Sequence, residues 1–344
     1  MGMSSARAIA FISKSGVEQR IEGRTSNFGV EIVNPVNAES AFDLASITKV
    51  MATTTLLALL VETGEITLDR KISDLIPEWR SSEKEDLTLE DLLRHESGLE
   101  EWRPFYITCK SPDEVFSKIA SLPLKYPKKS ESHYSDLNFI VLGRIVEIVY
   151  KAPISRLFQE EIARPLNLTN TSFGAPIDRE NVVATSVGDS IEAKMVRTKI
   201  PYEVPEDPED FNRWRTQVLS GEINDGNSFH VFQGTAGHAG LFSSLNDLTR
   251  YIQGLLEGFI SRRTLEEFSK PRTFEEQGIG FKRFRAPGSS FPIGHFGFTG
   301  TGFAIDIERK TGLVYLGNRL HTKSEYRPMT EIWSEEFKEF SSRG

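Results

Sequence analysis

The sequence predicts an α+β fold in which strands from both ends of the chain lie together around a mainly helical middle. Three observations predict it. Strand-like runs fill the first forty residues, helical signals dominate from about residue 70 to 260, and short β-type runs return after about residue 278. That order points to a split α/β domain interrupted by a helical insertion. The expected division is an α/β domain of residues 1–70 and 235–344, with residues 71–234 as the insertion.

The elements follow in order. Residues 8–13 and 17–23 read as strands flanking Lys14-Ser15-Gly16, a hairpin-type connection. Ser46-Ile47-Thr48-Lys49 leads into an apolar run over 50–61, which predicts one helix from near Ser46 to the Gly64 stop signal. Thr88-Leu89-Glu90-Asp91 and Ser111-Pro112-Asp113-Glu114 are capping-box-like helix starts, the second with proline at the first helical position. Apolar residues at helical spacing predict helices over 137–150 and 245–256, and Asp207-Pro208-Glu209-Asp210 opens another. Residues 294–298, 302–308 and 312–317 read as strands, with a hairpin turn at Arg309-Lys310-Thr311-Gly312 and a last helix over 329–339.

Ser46 and Lys49 carry the most chemical information. Residues three apart share a helix face, so hydroxyl and amine can meet. The helix is apolar on nearly every side and therefore buried. Burial favours a neutral lysine, and a neutral amine beside a hydroxyl is a base beside a nucleophile. A helix N-terminus also favours negative charge developing at Ser46. Spacing alone decides nothing, because a Ser-x-x-Lys string arises by chance about once or twice in such a chain. Ser81-Ser82-Glu83-Lys84 repeats the spacing among charged residues, where it reads as a solvated loop.

Composition narrows the alternatives. With 38% hydrophobic and 26% charged residues over 344 positions, the chain has the make-up of a soluble globular enzyme. A net charge of −8 without a long basic run disfavours nucleic acid and anionic membrane surfaces as partners. The single cysteine, Cys109, excludes an intrachain disulfide and fits a reducing compartment. The six histidines show no His-x-x-x-His pairing, so neither a metal nor another cofactor is expected. Met1-Gly2-Met3 leads into a strand without a long apolar region, and the Ser46 helix is too short and threonine-rich to span a bilayer. A cytoplasmic location is expected, and oligomeric state is left open.

A serine–lysine pair needs a proton relay and oxyanion donors. Tyr134-Ser135-Asp136 stands at a loop-to-helix junction, and Gly294-His295-Phe296-Gly297-Phe298 on a strand whose glycines allow close backbone approach. With Phe42-Asp43-Leu44-Ala45-Ser46-Ile47-Thr48-Lys49, Gly64-Glu65-Ile66-Thr67-Leu68-Asp69, Leu92-Leu93-Arg94-His95-Glu96-Ser97-Gly98-Leu99 and Gly237-His238-Ala239-Gly240-Leu241-Phe242-Ser243, they make six segments in a fixed order. In that order the sequence resembles the class C β-lactamase-like serine hydrolases, which include penicillin-binding proteins, D-alanyl-D-alanine carboxypeptidases and family VIII esterases.

The resemblance implies an antiparallel sheet flanked by helices, with the active site in the cleft beside the inserted domain. It implies that Ser46 is the acylated nucleophile, Lys49 its basic partner and Tyr134 the relay to the leaving group. Whether Lys49 or Tyr134 activates the serine stays open. The backbone N–H groups of Ser46 and Phe298 would form the oxyanion hole, and His295 would shape the electrostatics. His95 and Ser97-Gly98 read as structural. His295-Phe296-Gly297 stands where the lactamases have Lys-Thr-Gly, and Asp136 where the family has asparagine. A substrate carboxylate thus loses two of its usual partners, and Asp136 can only accept hydrogen bonds. With Trp102, Phe105, Phe296 and Phe298 as apolar surroundings, the expectation is a carboxylesterase acting on small neutral acyl substrates, with Asp136, Phe296, Gly297 and Trp102 as substrate contacts. The alternatives are a D-amino-acid peptidase, a weak β-lactamase, or a non-catalytic penicillin-binding-like sensor, which would not need Ser46, Lys49 and Tyr134 together. No Gly-x-Ser-x-Gly elbow points to an α/β-hydrolase.

Overall fold

A computed structural model describes residues 4–174, 178–287 and 290–343, so the Met1–Met3 start lies outside it. Strands β1 (Ala6–Ser13) and β2 (Gly16–Gly23) form the expected hairpin. Three short pieces, β3 (Phe42–Asp43), β4 (Ser172–Phe173) and β7 (Leu241–Ser243), make a small ribbon, and β5 (Ser186–Val187) pairs with β6 (Val218–Leu219). The last four strands are β8 (Lys282–Arg283), β9 (Ile293–Gly297), β10 (Thr301–Asp306) and β11 (Thr311–Gly317). They join the hairpin in one six-stranded antiparallel sheet, ordered β2-β1-β11-β10-β9-β8.

Strand β1 reads as a continuous apolar run because both of its faces are covered. Ala8, Ala10 and Ile12 enter the main core with Val314 and Leu316. Ile9 and Phe11 point the other way, onto Trp333, Phe337 and Phe340 of the C-terminal helix. Side chains alternate across a strand, so two buried faces require apolar residues at every position. Each buried ring of that helix contributes roughly 1.5–3 kcal/mol. The edge strand β2 has solvent on it and carries Glu18, Arg20 and Glu22 at alternate positions, which blunts pairing with another chain.

The helices are α1 (Thr55–Thr63), α2 (Leu89–Leu93), α3 (Phe105–Thr108), α4 (Pro112–Ser121), α5 (Asp136–Tyr150), α6 (Ile154–Leu157), α7 (Ser190–Thr198), α8 (Gly226–His230), α9 (Leu245–Glu257), α10 (Arg262–Ser269) and α11 (Met329–Ser342). The Thr88 capping box forms as expected, with Thr88 and Asp91 bonding each other's backbone N–H. No helix among the described residues is long and apolar enough to cross a membrane.

Three expectations need correction. The segment before α1 is not α-helical: Lys49–Thr54 is wound as a π-helix. The cause is the threonine run, whose hydroxyls compete for backbone carbonyls. Thr54 Oγ1 donates to Lys49 O and Thr55 Oγ1 to Val50 O, each at 2.9 Å, while Thr53 Oγ1 donates to Gly237 O at 2.7 Å. Asp207 caps only one 3-10 turn (Pro208–Asp210), after which the chain extends so that Phe211 can join Tyr106 and Trp214 in an aromatic cluster. Lys84 is not solvated: it is 2% exposed, and its ammonium donates to the Ala120 and Leu122 carbonyls at the end of α4. A lysine there satisfies helix carbonyls that would otherwise lack partners. Ser81 plays no part in this.

Candidate active site

The serine is held by an unusual backbone. Ala45, directly before it, has φ +45°, a left-handed conformation that costs a non-glycine residue roughly 1–2 kcal/mol. The surroundings fix it. Asp43 Oδ1 accepts the Ala45 N–H at 2.8 Å, and its Oδ2 accepts the Asn224 N–H at 2.7 Å. Burial pushes the Asp43 carboxyl up to about 6, against these two backbone bonds. From the sheet, Thr299 Oγ1 donates to Asp43 O at 2.6 Å. Gly297 lies so close that a Cβ there would meet Leu44 O at 2.4 Å. Only glycine lets β9 approach the strand leading to Ser46 this closely.

Lys49 is fully buried. Its Nζ donates to Ser46 Oγ at 2.8 Å and to His238 O at 3.1 Å. Asp136 Oδ1 lies 2.7 Å away as its ion-pair partner. The His238 carbonyl is brought in by a contact of two glycines: a Cβ on Gly143 of α5 would lie 2.8 Å from the Gly237 Cα. The expectation of a neutral lysine is corrected here. Burial pulls its pKa down, but the Asp136 carboxylate, helped by Tyr134, outweighs burial and holds it above the ordinary lysine value. Lys49 rests as an ammonium.

Tyr134 packs its ring 5.1 Å from Lys49 Nζ, 4.7 Å from the His95 ring and 5.8 Å from the His295 ring. Burial raises its phenol above the usual range, opposed by Lys49 and by hydrogen bonding to Lys49 and Ser46. The tyrosine segment is propped from behind: His95 Nδ1 accepts the Ser135 N–H at 3.0 Å, and Ser135 Oγ donates to Glu100 O at 2.6 Å. The structural reading of His95 therefore has a definite content.

His295 is 2% exposed, and burial and the nearby Lys282 and Lys49 keep it neutral. Its Nδ1 lies 2.7 Å from Phe296 O, which assigns the proton to Nδ1 and leaves Nε2 as an acceptor. Strand alternation turns Phe296 to the opposite face, where its ring sits 5.3 Å from Phe284 and 5.5 Å from Trp333. It does not line the cavity above Ser46, and Phe105 is fully buried in the main core. Those two aromatics are removed from the expected substrate surface; Trp102, Asp136 and Phe298 remain on it. Among the described residues, the backbone N–H groups of Ser46 and Phe298 have no protein acceptor.

The cavity has a volume of about 990 Å³. Ile191, Met195, Ile200 and Tyr202 supply much of its apolar wall; Asp136, Glu192, Asp225 and Glu325 line it as carboxyls, against Lys194 and Lys323 as rim ammoniums. Glu192 accepts the Gly226 N–H at 2.9 Å, and burial together with neighbouring Asp225 pushes it up to about 8. Asp225 is lowered despite its burial, because His238 Nε2 lies 3.0 Å from its Oδ1. The unfolded chain has released the Glu192 proton above about pH 4.5, while the folded one keeps it to about pH 8. Stability should therefore fall by on the order of 2 kcal/mol between pH 6.5 and 8. The buried neutral histidines act in the opposite sense around pH 6.5 and offset part of this fall, so the Glu192 share is the difference between the wild type and Glu192→Gln. Urea unfolding at both pH values checks this, and Glu192→Gln should flatten the slope.

Sequence reasoning missed His238, Glu192, Asp225 and Lys282. The Gly237-His238 segment was visible, but its contribution is a backbone carbonyl, which no side-chain pattern reveals. Lys282 comes from the short strand β8 and places Nζ 5.2 Å from the Tyr134 ring, beside His295. Its amine stands near the place where the Lys-Thr-Gly lysine is missing, with burial and Lys49 lowering its pKa.

A half-buried serine against a buried lysine, with a tyrosine over the pair and free backbone donors beside it, is an arrangement that fits a serine hydrolase. Residues 23–333 match the beta-lactamase family model, and the chain belongs to that family. A protein named D-alanyl-D-alanine carboxypeptidase from Escherichia coli is 29% identical over 327 residues, covering 84% of this chain and 71% of its own. Two solved structures share the fold, each at 18% identity with a TM-score of 0.71. EstCE1, a hydrolase with promiscuous acyltransferase activity, covers 92% of this chain and 89% of its own. A class C beta-lactamase from Rhodobacter sphaeroides covers 96% and 93%.

Proposed function

We propose that the protein hydrolyses small, non-anionic acyl substrates, carboxylic esters foremost, through an acyl-enzyme on Ser46. The observation that carries this is the Ser46–Lys49 contact of 2.8 Å at a cavity where Asp136 and Asp225 stand as carboxylates and the lysines Lys194 and Lys323 lie only at the rim. A substrate carboxylate entering such a site meets like charge. In the proposed reaction Ser46 Oγ attacks the acyl carbon, and the N–H groups of Ser46 and Phe298 take the oxyanion. Tyr134 passes a proton to the leaving oxygen, and water then releases the acyl group. Trp102 and Asp136 border the acyl group, Gly297 lets β9 lie beside it, and His295 keeps the ground behind Tyr134 neutral. The carboxypeptidase name of the relative supports peptide cleavage as the second reading.

The test compares a short-chain nitrophenyl ester, a chromogenic cephalosporin and a peptide ending in D-Ala-D-Ala. Ester turnover should lead by roughly tenfold or more in kcat/KM, the size of one unfavourable charge contact. Faster cephalosporin or peptide turnover would overturn the ester reading. A stable Ser46 adduct without turnover of any of the three would favour a sensor.

A further inference from the structure

We infer that Asp136 stores the proton that Lys49 must give up before it can act as a base toward Ser46. This rests on the reading of Ser46 as the acylated residue. The starting point is geometric. Lys49 Nζ already donates to Ser46 Oγ, so in its resting form it cannot also accept the serine proton. The other acidic partner within contact is Asp136 Oδ1, at 2.7 Å, which no hydrogen bond otherwise satisfies.

The steps balance. An Nζ proton moves to Asp136 Oδ1, leaving a neutral amine and a carboxylic acid. The amine takes the Ser46 proton as Oγ bonds to the acyl carbon. When the tetrahedral adduct collapses, the resulting ammonium gives a proton to the leaving group through Tyr134. Asp136 then returns its proton to Lys49, restoring the ion pair. In water the first transfer is uphill by about 6 pKa units. Burial by itself narrows that gap, because it penalises both charged forms, whereas the ion-pair attraction that holds Lys49 above its ordinary value widens it; the transfer is a brief uphill step, taken when a substrate fills the cavity and removes more water.

The groups facing this pair are few. Tyr134 precedes α5, His238 and Asp225 flank the loop carbonyl, His95 and His295 lie behind Tyr134, Lys282 reaches in from β8, and Tyr202 stands across the cavity. The two histidines are held neutral, and Asp225 is occupied by His238. Asp136 is thus the carboxylate placed to exchange a proton with Lys49. Asparagine at this position could hold the amine but could not take a proton from it.

The experiment is a pH profile of the attack of Ser46 on a fluorophosphonate, a phosphonylation that stands in for acylation and releases fluoride, read as adduct mass, in the wild type, Asp136→Asn and Asp136→Glu. In the wild type Lys49 hands its proton to Asp136 rather than to solvent, so acylation should persist at pH 6. In Asp136→Asn the lysine must lose its proton to solvent, so the acid limb moves up. The rate at pH 6 should then fall about tenfold or more and recover toward wild type near pH 9, since each pH unit below a limb costs roughly tenfold. Asp136→Glu should keep the low limb at a reduced rate, which separates proton storage from folding damage. An unshifted profile in Asp136→Asn, or faster acylation at pH 6, would overturn the inference. No adduct on wild-type Ser46 would instead overturn the reading beneath it.

Discussion

Ester turnover by Ser46→Ala is expected to fall by at least about 10³-fold, with the fold intact. The size follows from what is removed. Without Oγ there is no covalent step, and catalysis falls back on water attack assisted by the two free N–H groups, which alone cannot supply nucleophilic proximity. The structural cost is small, because the hydroxyl's contacts are a hydrogen bond from Lys49 and one with Tyr134, each worth about 1 kcal/mol net. Lys49 keeps Asp136 and His238 O, so its charge stays compensated. Initial rates with a short nitrophenyl ester, paired with a thermal melt, check both halves. Turnover persisting in a folded variant would sink the nucleophile assignment.

Lys49→Met should do two things that Ser46→Ala does not. Acylation should drop by roughly 10²–10⁴-fold, the range of a lost general base. The protein should also lose stability, because Asp136, with a side chain only 16% exposed, keeps its charge without its partner. Breaking a fully buried pair costs about 3–5 kcal/mol, and partial exposure here brings the expectation to roughly 1–3 kcal/mol. The double variant Lys49→Met with Asp136→Asn should recover most of the stability and none of the activity. Chemical denaturation of the three proteins measures this. A stable single variant would show that Asp136 finds solvent or another cation when Lys49 is gone.

What the sequence disclosed depended on whether a feature lives in side-chain order or in backbone proximity. The β1–β2 hairpin, the Thr88 cap and the return of strands after residue 278 are written in local pattern, and each appears in the structure. The meeting of Ser46 with Lys49 was legible because helical spacing survives even in the wider π winding. The charge state of Lys49 was not, since it depends on Asp136, 87 positions later and on a different helix. Burial of Lys84 was missed for a related reason: a charged segment can still sink one ammonium into the carbonyls of a distant helix end. Phe296 was read by its type, whereas strand alternation decides which face it serves.

Strand β1 lies between its hairpin partner β2 and β11, and Ala6 N–H donates to Asn318 Oδ1 at 3.1 Å. The second neighbour of the first strand is therefore synthesised from residue 311 onward, long after β1 itself has ended at Ser13. At about 5–20 residues per second, the interval on the ribosome is roughly 15–60 seconds. Throughout it the apolar β1 edge and the segment that carries Ser46 stand without the strands that cover them. Phe298 and Gly297 emerge in the same late stretch, so a nascent chain carries its serine and lysine long before it has the second N–H proposed to take an oxyanion. A growing chain then lacks the Phe298 donor until β9 has emerged, and its first strand is the surface most in need of a chaperone while it waits.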